Sequence, residues 1–231
     1  IRNPTPVVHA ADTASENFFV SVLKSLANVA KIGHVWVAAL VGALSFGVLL
    51  ALGVVWMPKI LMVHGLSESS AALGSSLLWL GLAAGSAVVP HWSDVIKRRK
   101  RTMVVGCAVQ LAALLGLLFI PGLGSGLALA LCFVLGFANA SHMLAFSTAA
   151  DVVQPHQIGT SAAIVNGIMF ILGGILISRP GFRIGIGLEK GLEPESLAIA
   201  QYATVPLIIA GVLALVIALF MRETYPQHGH G

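Results

Sequence analysis

Residues 81–101, GLAAGSAVVPHWSDVIKRRKR, decide how the rest of the chain is read. An apolar run ends at Asp94 and gives way to five consecutive cations, Lys97, Arg98, Arg99, Lys100 and Arg101; a second apolar run begins at Thr102. Two greasy segments joined by a short charged hinge are two membrane helices meeting at one face of the bilayer. Cations in short loops stay on the cytoplasmic side, because carrying them across during insertion is unfavourable. The hinge therefore orients every other segment.

Composition agrees. Of 231 residues, 57 % are hydrophobic and only 10 % charged. A soluble domain needs about 25 % charged residues to cover a wet surface, so the chain is a polytopic membrane protein. The net charge of +4 would fit nucleic-acid binding, but five of the thirteen Lys and Arg sit in one inter-helix loop, where topology explains them. No nucleic-acid partner is expected. Cys107 and Cys132 both lie within apolar runs and read as small packing residues, not as a disulfide or metal pair. The opening Ile1 in place of Met is consistent with a longer polypeptide, and no basic-then-apolar leader is visible in the first thirty residues.

Outward from the hinge, apolar runs of about 20 residues, the length a bilayer crossing needs, fall at 35–57, 71–89, 103–120, 127–150, 158–178 and 203–221. Trp36 and Trp56 stand near the ends of the first, where indole favours the interface. Pro58 and Lys59 lead out of it, Gly65 makes the next turn, and Ser67 with Glu68 is an N-cap followed by an acidic first turn. Gly81 and Gly85 give the second span a spacing that permits close backbone approach. Residues 179–196 are rich in glycine and read as irregular until Pro194 opens the last helix. Before the first span, Phe18, Phe19, Val22, Leu23, Leu26 and Val29 recur at helical spacing over 12–32, an amphipathic helix at the cytoplasmic interface or against the bundle. The organisation is thus an arm and amphipathic helix (1–34), a six-helix membrane bundle (35–222) and a tail (223–231). With the hinge cytoplasmic, Arg2, Lys24, Lys31 and Arg222 fall on its side. Lys59, Arg179, Arg183 and Lys190 fall opposite, the asymmetry that topology requires, and both termini are cytoplasmic.

Six spans after an amphipathic segment, with an acidic-then-basic hinge between the second and third, resemble the C-terminal half of a major facilitator superfamily transporter, helices seven to twelve. The hinge resembles the family's Gly-x-x-x-Asp-Arg-x-Gly-Arg-Arg loop in its weaker second copy. Asp94, Arg98 and Arg99 fit it, while Pro90, Val95 and Lys97 stand where the first glycine, the first arginine and the inner glycine usually do. Residues 56–85 (WMPKILMVHGLSESSAALGSSLLWLGLAAG), 159–174 (GTSAAIVNGIMFILGG) and the closing RETYP are similar to other parts of that half. The resemblance implies an all-α half-bundle in the bacterial inner (plasma) membrane. It also implies a complementary six-helix N-terminal half, in the same chain or separate, with a small-molecule substrate bound between the halves at mid-depth.

No Asp, Glu, Lys or Arg lies in the middle of any predicted span, so polar groups there are informative. His142 is the one ionisable side chain well inside a span, with Asn139 and Phe146 on its helical face. The resemblance places this tenth helix of the family on the central cavity. Two roles are open to His142: contact with substrate or protons, or a neutral histidine bonded to a neighbouring helix. Asn166, Gln110 and Ser45 carry the same pair of alternatives, substrate contact or interhelical packing. Asp94, Lys97, Arg98 and Arg99 are candidates for gating against the other half, or serve only to set topology. Arg179 and Arg183 stand near the outer mouth. His228 and His230 in the tail do not amount to a metal site. No enzyme motif is present and no cofactor is implied. Two functions follow. The first is half of a secondary transporter, symport with protons included, for an organic anion, amino acid or sugar derivative. The other is a non-transporting assembly subunit of a larger membrane complex.

Overall fold

The computed structural model describes residues 11–226. The arm with Arg2, the side chains of Phe18 and Phe19, and the tail residues His228 and His230 lie outside the described residues. Helix α1 covers Ala11–Ala30. The first span comprises α2 (Gly33–Ala51), a π-turn (Leu52–Trp56) and α3 (Met57–Val63). The second is α4 (Glu68–Ile96) and the third α5 (Arg99–Phe119). The fourth joins α6 (Ser125–Asn139) to α7 (Leu144–Ala150) through a 3-10 turn at Ala140–Met143. The fifth is α8 (Ile158–Glu189) and the sixth α9 (Leu197–Phe220). Among the described residues these six are long and apolar enough to cross a membrane. An even number of crossings returns both described ends to the side of the hinge.

Helix ends differ from the sequence expectation at several prolines. The first span continues through Pro58 and Lys59 to Val63. Proline removes one N–H and crowds the carbonyl four residues back. The π-turn just before it, in which the Met57 N–H reaches back to the Leu52 carbonyl, opens the ladder where that crowding would fall. Pro90 lies inside α4 and Pro180 inside α8. The stretch 179–189, read as irregular, is therefore helix, and the turn comes at Lys190 and Gly191. Pro194 does not open α9. Ser196 does, accepting a bond from the Ile199 N–H at 3.2 Å. Lipid offers no alternative partners for backbone groups, which keeps a helix intact across an isolated proline.

The turn between α4 and α5 shrinks to Lys97 and Arg98. Lys97 is left-handed at φ 53°, and the Arg98 N–H bonds the Ser93 carbonyl at 3.1 Å, a Schellman closure. Glycine normally fills such a position, and a lysine there carries a steric cost of about 1 kcal/mol. Lys97→Gly is accordingly expected to raise unfolding stability by about 1 kcal/mol, read by thermal unfolding in detergent.

Two apolar clusters fill the bundle. One, away from the hinge, gathers Leu49, Leu52, Leu61, Leu78, Leu114 and Leu135. The other, on the hinge side, gathers Val35, Ala38, Met103, Leu144 and Val165. Cys132 packs in the first and Cys107 in the second, both free thiols. Spans two and four approach most closely through glycine: a Cβ on Gly81 or Gly85 would strike the carbonyls of Phe133 or Phe137, and one on Gly136 that of Leu78. Trp56, expected at the interface, is instead buried, and its indole N–H donates to the Ile177 carbonyl of the fifth span at 2.8 Å. Trp36 remains half exposed and ties the first span to the end of α1 by donating to the Ala30 carbonyl at 2.8 Å.

Candidate functional site

Between the two apolar clusters lies a polar layer. Ser45 of α2, Gln110 of α5 and Asn139 of α6 are far apart in sequence, yet each sits where its span passes from one cluster to the other. The Ser45 hydroxyl donates to Gln110 Oε1 at 2.5 Å. Gln110 Nε2 and Asn139 Nδ2 both donate to the Ser45 carbonyl, at 2.9 and 2.8 Å. All three residues are buried. In a medium without water these bonds satisfy groups that would otherwise stand bare. Interhelical hydrogen bonds of this kind contribute about 0.6 kcal/mol each, reaching about 1.7. Asn139→Leu, which removes one bonding side chain from the layer, is expected to cost about 1 kcal/mol of thermal stability in detergent.

The layer is not fully satisfied. Asn139 Oδ1 and Ser141 Oγ, both buried, have no partner among the described residues. They adjoin His142, which lies in the 3-10 turn and is itself buried, at 8 % exposure. His142 Nδ1 lies 2.8 Å from the Asn139 carbonyl. A carbonyl only accepts, so Nδ1 carries the proton, and Nε2 bonds no described residue. The imidazole packs against Phe46 at 4.9 Å between ring centres, and Phe46 meets Phe170 edge-on at 6.1 Å. One turn before Phe170 on the same face of α8, Asn166 is exposed. The structure thus divides the five expected binding residues. Ser45, Gln110 and Asn139 form one interior network. His142 stands at its rim. Asn166 lies apart on the open face of the fifth span.

At the hinge, Arg99 gathers more than the motif implied. Its guanidinium contacts Asp94 Oδ1 at 2.6 Å and Asp151 Oδ2 at 3.4 Å, and it lies 4.9 Å from the Tyr225 ring centre. The RETYP residues meet the hinge here. Glu223 Oε1 accepts from the Arg99 backbone N–H at 2.8 Å, and so supplies an anion to the first turn of α5. Thr224 donates to Asp151 at 3.2 Å. Asp151 and Glu223 were not singled out from sequence; the signal was their place as the acids flanking span ends on the hinge's own side. Lys97 and Arg98 remain exposed. Arg183 and Lys190, on the opposite side, converge on Tyr202: the Arg183 side chain donates to its carbonyl at 2.6 Å, and Lys190 donates to its hydroxyl at 3.3 Å.

Six apolar spans, a mid-depth polar layer and a basic hinge locked to acids from neighbouring loops are features of a membrane transporter fold. The family model described as Major Facilitator Superfamily matches residues 2–178. The chain belongs to the major facilitator superfamily and is an integral membrane protein of that transporter kind. Among curated proteins, none matches it.

Proposed function

We propose that the chain forms one half of a secondary active transporter, moving a small polar solute by alternating access against a complementary six-helix half. The membrane is a bacterial inner (plasma) membrane in this reading, with the hinge and both termini cytoplasmic. An organic anion, amino acid or sugar derivative fits the neutral hydrogen-bonding groups of the mid-depth layer.

The observation that supports this is a contrast between outward faces. On the sixth span the exposed side chains include Ile209, Val212, Leu213, Val216 and Leu219, all apolar and suited to lipid. The fifth span exposes Asn166, Gly167, Gly174 and Ser178 alongside Phe170 and Ile171, and the second exposes Ser76, Ala83, Ala84 and Ala87 among its larger residues. These two spans are also the least buried of the six. Small and polar residues bring no advantage against acyl chains, but they allow close backbone approach by other helices and contact with water. The second half would sit over spans two and five. His142, Phe46, Phe170 and Asn166 would then face it across the transport path, with Ser45, Gln110 and Asn139 holding His142 in place from behind.

Gating follows from the hinge. Arg99 with Asp94 and Asp151 closes a lock within this half, while the exposed Lys97 and Arg98 are free to meet acids of the other half. Symport is part of the proposal: the unprotonated Nε2 of His142 is the mid-depth group suited to taking a proton.

Uptake into proteoliposomes holding both halves, with and without a proton gradient, tests this reading. His142→Phe is expected to raise KM about tenfold, the worth of one lost hydrogen bond of about 1.4 kcal/mol. Unchanged uptake in that variant, or no flux of any solute class in the parent, would overturn it. Stoichiometric copurification with a partner that is not a transporter would instead favour the assembly-subunit role.

A further inference from the structure

A polar cavity of about 350 Å³ opens on the hinge side between α1 and the loop that leads into α8. Ser21, Lys24, Ser25 and Asn28 line it from α1, and His156 and Gln157 from the loop. The four α1 residues fall on one helical face by their spacing. The loop reaches them because Ser25 and Thr160 bond hydroxyl to hydroxyl at 2.9 Å, which pins α1 to the first turn of α8. Gln157 Oε1 already accepts from the Gln154 N–H at 3.3 Å, which leaves its amide NH2 as a donor.

The lining has a definite chemistry. Beside the apolar Val20 it offers an ammonium, an imidazole, two hydroxyls and two side-chain amides, and no acidic side chain lines it among the described residues. The acid in the same loop, Asp151, is turned to Arg99 and Thr224. Such a donor set matches a phosphate oxygen cluster. Position selects the source. The opposite sector of α1 exposes Val22, Leu23 and Leu26, while Val29 and the Trp36 bond hold the end of α1 beside the first span. A helix with that apolar sector lies in the membrane interface, so the cavity opens at the depth of lipid headgroups. Basic clefts beside membrane helices at this level take anionic headgroups.

We propose that this cavity binds the phosphate headgroup of an anionic phospholipid, with Lys24 and His156 gripping it from opposite walls and the hydroxyls of Ser21 and Ser25 completing the contacts. Bound there, the lipid would bridge α1 to the 151–157 loop and so link the amphipathic segment to the loop that supplies Asp151 to the Arg99 lock.

Native mass spectrometry of the full chain, titrated separately with short-chain phosphatidylglycerol and phosphatidylcholine, provides the test. Phosphatidylglycerol is expected to bind the more tightly. Lys24→Gln is expected to weaken it about fivefold, the worth of one cation near a membrane surface. Lys24→Arg is expected to retain affinity, as is Lys190→Gln on the far side. Equal binding of the two lipids, or the same loss in Lys190→Gln as in Lys24→Gln, would overturn the site. Displacement of phosphatidylglycerol from the parent by millimolar inorganic phosphate would overturn the lipid assignment and give the cavity to a free phosphate.

Discussion

Gly136→Val is expected to destroy the folded bundle. A Cβ at residue 136 would fall on the Leu78 carbonyl and lie 3.0 Å from the Leu82 N. Neither atom can rotate aside, since both belong to the backbone of α4. Overpacking against movable side chains costs about 1–3 kcal/mol and occasionally more; here the second span as a whole must shift, so the loss should be at least about 3 kcal/mol. Gly81 and Gly85 oppose the same seam from the other side, against the Phe133 and Phe137 carbonyls. Gly167→Ala and Gly174→Ala are the controls, because a Cβ there meets nothing within 4 Å. They should be neutral or gain up to about 1 kcal/mol from the better helix former. Fluorescence-detected size exclusion and thermal unfolding in detergent measure both groups. A folded, normally melting Gly136→Val variant would mean that spans two and four do not pack as described.

Arg99→Ala should have the second-largest effect. The guanidinium is nearly buried, at 13 % exposure, and so is Asp151 at 11 %, whereas Asp94 is 54 % exposed. The contact with Asp94 is therefore screened by solvent and contributes little. Removing Arg99 leaves the Asp151 carboxylate poorly solvated and without its cation, a change that costs about 3 kcal/mol in buried pairs. The tail should loosen as well, because Tyr225 loses the cation it faces. Hydrogen exchange should rise over residues 222–226, and Asp151→Asn should recover part of the stability lost in Arg99→Ala. Failure of that second change to recover any would show that the two groups are not coupled.

What the sequence disclosed depended on where its signal was strong. Apolar length and the basic hinge gave six spans and their alternation, because bilayer thickness imposes both. Helix ends were harder to read. Pro58, Pro90 and Pro180 look like stops in the one-dimensional pattern, yet a π-turn and a lipid surround carry the helix past them. The polar layer was visible only as separate residues. Ser45, Gln110 and Asn139 lie in different spans, and nothing local shows that three side chains converge on one backbone carbonyl. Asn166 was grouped with them because α8 is apolar nearly all round, so its sequence does not mark which face is inward. The Arg99 lock was half legible. Asp94 stands in the hinge itself, but Asp151 and Glu223 reach it only through the packing of loops distant in sequence.

The open face of the fifth span is tested most directly by thiol labelling of Asn166→Cys in membranes that hold both halves. Val212→Cys on the sixth span serves as the lipid-facing control, and the native thiols are 3 % and 0 % exposed. Residue 166 lies about 12 Å along the helix from the start of α8, so a membrane-impermeant charged reagent reaches it only through water. Expected is labelling of Asn166→Cys that transported solute suppresses, with Val212→Cys unlabelled. Failure to label Asn166→Cys, or equal labelling of the two positions, would contradict a water-filled path along this face.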